Sequence, residues 1–170
     1  MCGAYDSPNY SERVLRALAD VKFEGDVTVL LGAKAPHLKR VTKIKDTGKL
    51  TFGVEIVTNS VNTYSYISQA DFVVGTGGQG LLERMALGVP SVTLVSSRNQ
   101  IDQSHFMADR GATEIIDKEA VFGEELLPAR LEKMLANDQK REQMSMRARS
   151  LIDGKGATRV ATKILQLGSG

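Results

Sequence analysis

Short, nearly unbroken apolar runs alternate along this chain with longer stretches in which apolar residues return every third or fourth position. The clearest run is Asp26-Val27-Thr28-Val29-Leu30-Leu31-Gly32, which reads as a strand covered on both faces, as parallel strands are. Leu50 to Val57, Asp71 to Val74, Ser91 to Val95 and Thr113 to Ile116 read as four more strands. Between them the period changes. Val14, Leu15, Leu18 and Ala19 predict a helix over Asn9 to Asp20, opened by the capping chemistry of Asp6-Ser7-Pro8-Asn9. Pro36 to Asp46 reads as a helix with Leu38, Val41 and Ile44 inward, and Asn62 to Ala70 as another. Leu81, Leu82, Met85 and Ala86 mark a helix that stops at Gly88 and Pro90, while Ile101 to Arg110 is closed by Gly111. Val121 to Ala136, Asp138 to Ile152 and Ala157 to Leu167 complete a helical C-terminal stretch. Strands alternating with helices predict an α/β domain with a doubly wound parallel sheet. No linker or internal repeat divides it, so residues 1–170 are expected to be one domain.

Composition narrows this only a little. A chain of 170 residues is long enough to bury a core, and 42% hydrophobic with 25% charged residues is ordinary. A net charge of +2 is too slight to argue for nucleic acid or an anionic membrane as partner. No apolar run has the length of a membrane span and no basic-then-apolar leader opens the chain, so a cytoplasmic protein is expected. The single cysteine, Cys2, excludes an intrachain disulfide.

The stretch on which the chemistry turns is Gly75-Thr76-Gly77-Gly78-Gln79-Gly80, where a strand empties into a glycine loop and a helix follows. Glycines there let backbone N–H groups approach a ligand, and a helix N-terminus adds unpaired donors with a partial positive charge. The natural guest is an anion such as a phosphate. The loop is neither a Walker sequence nor a strict G-x-G-x-x-G. Glu83, one turn into the helix, is placed to reach a sugar hydroxyl beside bound phosphates. In open α/β sheets ligands sit beyond the carboxyl ends of the strands, and the loops at Gly75 and Ser96 share that edge.

Other chemistry is sparse. There is no CxxC, no H-E-x-x-H and no acidic cluster with ligand spacing, so neither a metal nor a cofactor is expected. His37 and His105 fall on helices, and His105 is near enough to the Ser96 loop to face a ligand or, more simply, solvent. Lys39, Arg40, Lys43 and Lys45 read as a solvated face, and Arg84 as a packing or ion-pair residue. Asn99 and Gln100 stand at a strand-to-helix turn, where helix capping and sugar recognition are both open.

These residues resemble the C-terminal, nucleotide-binding half of the two-domain GT-B architecture, a Rossmann-like fold. The similarity is to the UDP-sugar hydrolases of pseudaminic acid biosynthesis and the spore coat polysaccharide biosynthesis proteins, and more remotely to the N-acetylglucosaminyltransferase of peptidoglycan synthesis. It rests on Gly75-Thr76-Gly77-Gly78, Glu83-Arg84, Leu87-Gly88 and Pro90, against G-x-G-G-S-T-x-W-E-R-x-x-L-G-x-P. Gly3 to Asn9, Ala70-Asp71, Asn99-Gln100, Asp153 to Gly156 and Arg159-Val160 support it. Gln79-Gly80 stands where the family has Ser-Thr, Leu82 where it has Trp, and Ala4-Tyr5 where it has Gly-Ser. The resemblance implies diphosphate binding by Gly3, Ala4, Gly77, Gly78, Gln79 and Gly80, ribose binding by Glu83, uracil near Ser60 and Val61, and the sugar at Asn99 and Gln100. It implies UDP or a UDP-sugar as ligand and an N-terminal domain as partner. No catalytic residue is assigned, because the family's general-base histidine belongs to that N-terminal domain. The implied activity is UDP-sugar hydrolysis; glycosyl transfer and a non-catalytic nucleotide-binding module are the alternatives.

One topological expectation follows. Domains of this type begin with a strand that runs into the first glycine loop at the centre of the sheet, yet only Met1 and Cys2 precede Gly3. The sheet is expected to be incomplete between the strands starting near Asp26 and Asp71, the chain to bind ligand without turnover, and the uncovered edges to invite strand addition or self-association.

Overall fold

The computed structural model describes residues 1–48, 50–117 and 126–168. The elements are α1 (Tyr10–Asp20), β1 (Asp26–Leu31), α2 (Leu38–Asp46), β2 (Gly53–Thr58), α3 (Thr63–Ser68), β3 (Val73–Thr76), α4 (Gln79–Leu87), β4 (Ser91–Val95), α5 (Ile101–Asp109, preceded by one 3-10 turn, Arg98–Gln100), β5 (Glu114–Asp117), α6 (Leu126–Leu135), α7 (Asp138–Leu151) and α8 (Gly156–Gly168). The predicted helical residues Val121 to Glu125 lie outside the described residues.

All strand pairs are parallel, but they form two separate ladders. In one, β1 pairs with β2 from Asp26↔Gly53 to Leu31↔Thr58. In the other, β4 lies between β3 and β5, with Val73↔Ser91 and Val92↔Glu114 opening the two registers. Residues Met1 to Ala4 run between the ladders. The Met1 ammonium donates to Val74 O at 2.6 Å and Thr76 N–H donates to Met1 O at 3.3 Å. On the other side Gly32 N–H donates to Ala4 O at 2.8 Å. The order in space is therefore β2, β1, the Met1–Ala4 segment, β3, β4, β5, and the expected central gap is present.

The core is two-sided, as double winding requires. On one face Tyr10, Leu15, Val41, Val92, Leu94 and Leu131 belong to a single buried cluster drawn from α1, α2, β4 and α6. On the other, Leu81, Met85, Met107, Ala112 and Ala148 join α4, α5 and α7. No helix among the described residues is long and apolar enough to cross a membrane.

Partners move the strand starts from where the local pattern put them. Phe52 packs edge-on to Phe23, ring centroids 5.5 Å apart, so β2 begins only at Gly53, where pairing with Asp26 becomes available. β3 starts at Val73, whose N–H bonds to Pro90 O at 3.0 Å, rather than at Asp71. β1 is less covered than its apolar run suggested, since Asp26 and Thr28 are exposed and only Val29 and Leu31 are buried. At the helix starts, Asp6 does the capping of α1: its carboxylate accepts from Tyr10 N–H at 2.8 Å and Ser11 N–H at 2.9 Å.

α4 and α5 end alike. Gly88 and Gly111 take left-handed φ of 67° and 66°. Val89 N–H returns to Arg84 O and Ala112 N–H to Met107 O, which satisfies the last carbonyls. Arginines of α7 pack on both turns: an added Cβ would fall 2.0 Å from Arg149 Nε at Gly88 and 2.2 Å from Arg147 Nη1 at Gly111.

Candidate functional site

The carboxyl ends of the strands share one edge. Gly32 and Asn59 follow β1 and β2 there, and Asn59 ties the two loops by accepting from Ala33 N–H at 2.9 Å. The glycine loop follows β3, and Ser96 to Gln100 follow β4. Gly78 is the residue before α4 and sits at φ 78°, ψ −147°, a conformation open to glycine and strained for any side chain. Gly77 is needed for space, because a Cβ there would stand 2.7 Å from Ser104 Oγ and 3.0 Å from Gln100 Cβ.

Gln100 and Ser104 thus form the wall behind the loop. Gln100 Oε1 accepts from Ser96 N–H at 3.2 Å and from Ser96 Oγ at 2.9 Å, which fixes the amide with its nitrogen toward Gly78. Ser104, four residues on and on the same helical face, is fully buried, and its hydroxyl has no hydrogen-bond partner among the described residues. The sequence signal for Ser104 is its four-residue spacing from Gln100.

Beneath the loop lies Arg84, fully buried. Its Nη2 donates to Thr76 O at 3.1 Å and to Thr93 Oγ1 at 3.2 Å. Thr93 Oγ1 in turn lies 2.8 Å from Thr113 Oγ1, which lies 3.1 Å from Ser91 Oγ. This chain of polar side chains runs from the carboxyl end of β3 through the middle and the start of β4 to the residue before β5. Nε and Nη1 of Arg84 have no hydrogen-bond partner among the described residues. Burial pushes the guanidinium down to about 10, against the opposing pull of Cys2 and Glu83.

The predicted ligand residues fall as follows. Gly77 is buried, Gly78 and Gly80 half-buried and Gln79 exposed, all at the start of α4. That helix begins at Gln79 rather than near Leu81, so Glu83 is its fifth residue and sits in the second turn, where the macrodipole is weaker. The buried stripe is Leu81, Arg84 and Met85; Ala86, expected inside, is exposed because the arginine takes the inward position. Glu83 is half-buried, with no hydrogen bond or ion pair on its carboxylate among the described residues. Asn99 is exposed and accepts from Ser97 Oγ at 2.7 Å; it does not cap α5. Ser60 Oγ accepts from Asn62 N–H at 3.3 Å and Val61 is fully exposed, on the same edge but beyond β1 and β2. Gly3, at φ 83°, is exposed in open space, and the nearby N-terminal amides of α1 are held by Asp6.

His105 is half-exposed with Nε2 3.4 Å from Asp117 Oδ1, and His37 Nε2 lies 3.0 Å from Ser7 O. Lys39, Lys43 and Lys45 are exposed, while Arg40 pairs with Glu12. Among the described residues no three His, Cys, Asp or Glu side chains group so as to hold a metal ion.

Known proteins share this fold. The chain is 27% identical over 167 residues to the spore coat polysaccharide biosynthesis protein SpsG of Bacillus subtilis, covering 96% of itself and 48% of that protein. Its fold matches the crystal structure of MurG from Acinetobacter baumannii with a TM-score of 0.81 at 18% identity, covering 98% of this chain and 48% of that one. It also matches a putative UDP-N-acetylglucosamine 2-epimerase from Listeria monocytogenes, with a TM-score of 0.67 at 14% identity over 94% of this chain and 41% of that one. The chain thus spans about half the length of SpsG and of MurG. The glycosyltransferase family 28 C-terminal domain matches residues 1–163, and the chain belongs to that family, as a C-terminal domain of the GT-B architecture.

Proposed function

We propose that this domain holds the nucleoside diphosphate of a UDP-sugar donor, as the donor-binding part of a glycosyltransferase. The observation that carries the reading is the Gly77–Gly78 turn: it opens α4 onto the carboxyl edge of the sheet, is braced by Gln100 and Ser104, and has the Glu83 carboxylate, without a hydrogen bond or ion pair among the described residues, one turn along. Membership of a glycosyltransferase family favours transfer over the hydrolysis expected first from the motifs. The division of labour follows from charge. Backbone N–H groups of the loop and the first turn of α4 suit the diphosphate, and would stabilise it as it leaves. Glu83 would repel a phosphate, so it belongs beside the ribose, where an ionised carboxylate accepts from both hydroxyls. Gln100, with its amide nitrogen beside Gly78, suits the phosphate or the sugar. Asn99, Ser60 and Val61 form the sugar and base ends of the same reading.

Calorimetry with UDP tests it. Glu83→Gln is expected to weaken UDP binding by about tenfold, since hydrogen bonds to a charged acceptor are worth roughly 1.5 to 3 kcal/mol. The same change should cost 2′-deoxy-UDP much less. Equal losses for the two nucleotides, or equal affinity of the unaltered chain for GDP, would remove the reading.

A further inference from the structure

Two groups beside the glycine loop lack partners. The Ser104 hydroxyl is fully buried on α5 and makes no hydrogen bond among the described residues. It is aimed at the loop, since a Cβ on Gly77 would stand 2.7 Å from Ser104 Oγ. Gly77 is itself buried, and its carbonyl accepts no hydrogen bond among the described residues. Neighbouring groups are directed elsewhere. Gln100 Oε1 accepts from Ser96 N–H and Oγ, Gln100 Nε2 lies toward Gly78, and the unpaired Nη1 of Arg84 lies toward Gly75 and Gly80. Leaving a buried hydroxyl unpaired is costly, so a serine in this place calls for an acceptor in some state of the loop.

We propose that Ser104 is a positioning residue for the diphosphate, a role that rests on the reading of this loop as the diphosphate site. Its hydroxyl donates to the Gly77 carbonyl in the nucleotide-bound form of the turn, and so holds the Gly78 N–H outward toward phosphate. In a trans peptide the C=O and N–H of one unit point in opposite directions. An amide that offers its N–H to an anion at a glycine turn therefore sends its carbonyl inward, where a buried acceptor needs a donor. For the Gly77–Gly78 peptide, Ser104 is the unpartnered donor that faces it. The means of reaching that form is present as well. Turning this peptide over, with the Cα atoms in place, carries φ of Gly78 from 78° to about −100°, and glycine takes either value at little cost. A side chain at Gly77 would strike Ser104, and one at Gly78 would be strained at the present φ. Glycine at both positions leaves the peptide free to turn, and Ser104 sets which way it rests when phosphate is bound. The hydroxyl touches no ligand atom; it acts through the backbone.

Calorimetry and thermal melts of the full chain test this role, using Ser104→Ala and the near-isosteric Ser104→Cys, whose thiol is a weak donor. Ser104→Ala is expected to lower UDP affinity about fivefold, the effect of one intramolecular hydrogen bond. Uridine, which has no phosphate, should bind as before, and Ser104→Cys should fall between the two chains. Without nucleotide the Ala variant should melt no lower than the unaltered chain, because the hydroxyl it loses is unpaired there, while the rise in midpoint on adding UDP should shrink. In the unaltered chain carrying isotope-labelled glycine, UDP should shift the Gly77 carbonyl and Gly78 amide resonances, and in Ser104→Ala the carbonyl shift should be reduced. A midpoint that drops without nucleotide while UDP affinity holds would make Ser104 a packing residue and overturn the role. Equal losses for UDP and uridine would overturn it too. The two readings fail separately: UDP that does not bind the unaltered chain removes the diphosphate site and this role with it, whereas UDP bound equally by the unaltered chain and the Ala variant removes the role alone.

Discussion

In the ladder of β3, β4 and β5 every residue of the middle strand is buried, and a buried arginine, two threonines and a serine are linked across the three strands. In the ladder of β1 and β2 no residue of β2 is fully buried and β1 alternates, with its outer residues in water. Both ladders are parallel and both come from comparable apolar runs. The difference lies in neighbours. β4 has a strand on each side and helices on both faces, whereas β1 is paired with β2 alone. Burial, and the stability it carries, belongs to the arrangement around a strand rather than to its composition. The glycine loop that fits a ligand hangs from the well-covered ladder, where it is held by Arg84 and by Ser104 and Gln100 behind it.

The comparison is most strongly tested by matched truncations. Leu94→Ala, in the covered strand, is expected to cost about 2 to 5 kcal/mol by urea denaturation, while Leu30→Ala, half-buried in β1, should cost at most about 1.5 kcal/mol. Equal losses would erase the contrast. Next in size, Gly78→Ala forces a side chain into φ 78°, ψ −147°, a strain of about 1 to 3 kcal/mol, and should lower the thermal midpoint and weaken UDP binding at least tenfold. A variant that melts lower yet binds UDP normally would detach the loop from the site. The smallest effect belongs to the other ladder's helices. Burial opposes ionisation of Glu12, but hydrogen bonds from Asn9, Arg16 and Arg40 outweigh it and hold the carboxyl below its ordinary value of 4.5. A lowered folded value means that its stabilisation is present above pH 4.5 and is lost as pH falls through the lower, folded value. Glu12→Gln should therefore cost about 1 kcal/mol at pH 7 and progressively less below pH 4.5. A cost that persists at acid pH would show packing, rather than charge, to be the role of Glu12.

Much of this fold was legible because its signals are local. The apolar runs at Val27 to Leu31 and Val92 to Val95, the returns at Leu15 and Leu18, and the stops at Gly88 and Gly111 each speak for themselves. What was not legible depends on distant partners. Nothing near Arg84 announces that Thr76 and Thr93 will receive it in the interior. The inward turn of that arginine is also what leaves Ala86 outside. Likewise the bracing of Gly77 by Gln100 and Ser104 joins residues more than twenty positions apart, and the true start of α4 at Gln79 was set by the strained turn at Gly78.

The arginines that α7 lays over the glycine turns of α4 and α5 impose a timetable on synthesis. Gly88 leaves the ribosome about 60 residues before Arg149, a delay of roughly 3 to 12 s at 5 to 20 residues per second. During that interval the ends of α4 and α5 lack their cover, and the second buried cluster waits for Ala148. The ladder that is best enclosed in the finished molecule is thus the last to be closed. Slow translation over residues 90–150 would lengthen the nascent chain's exposure to chaperones and to its own kind.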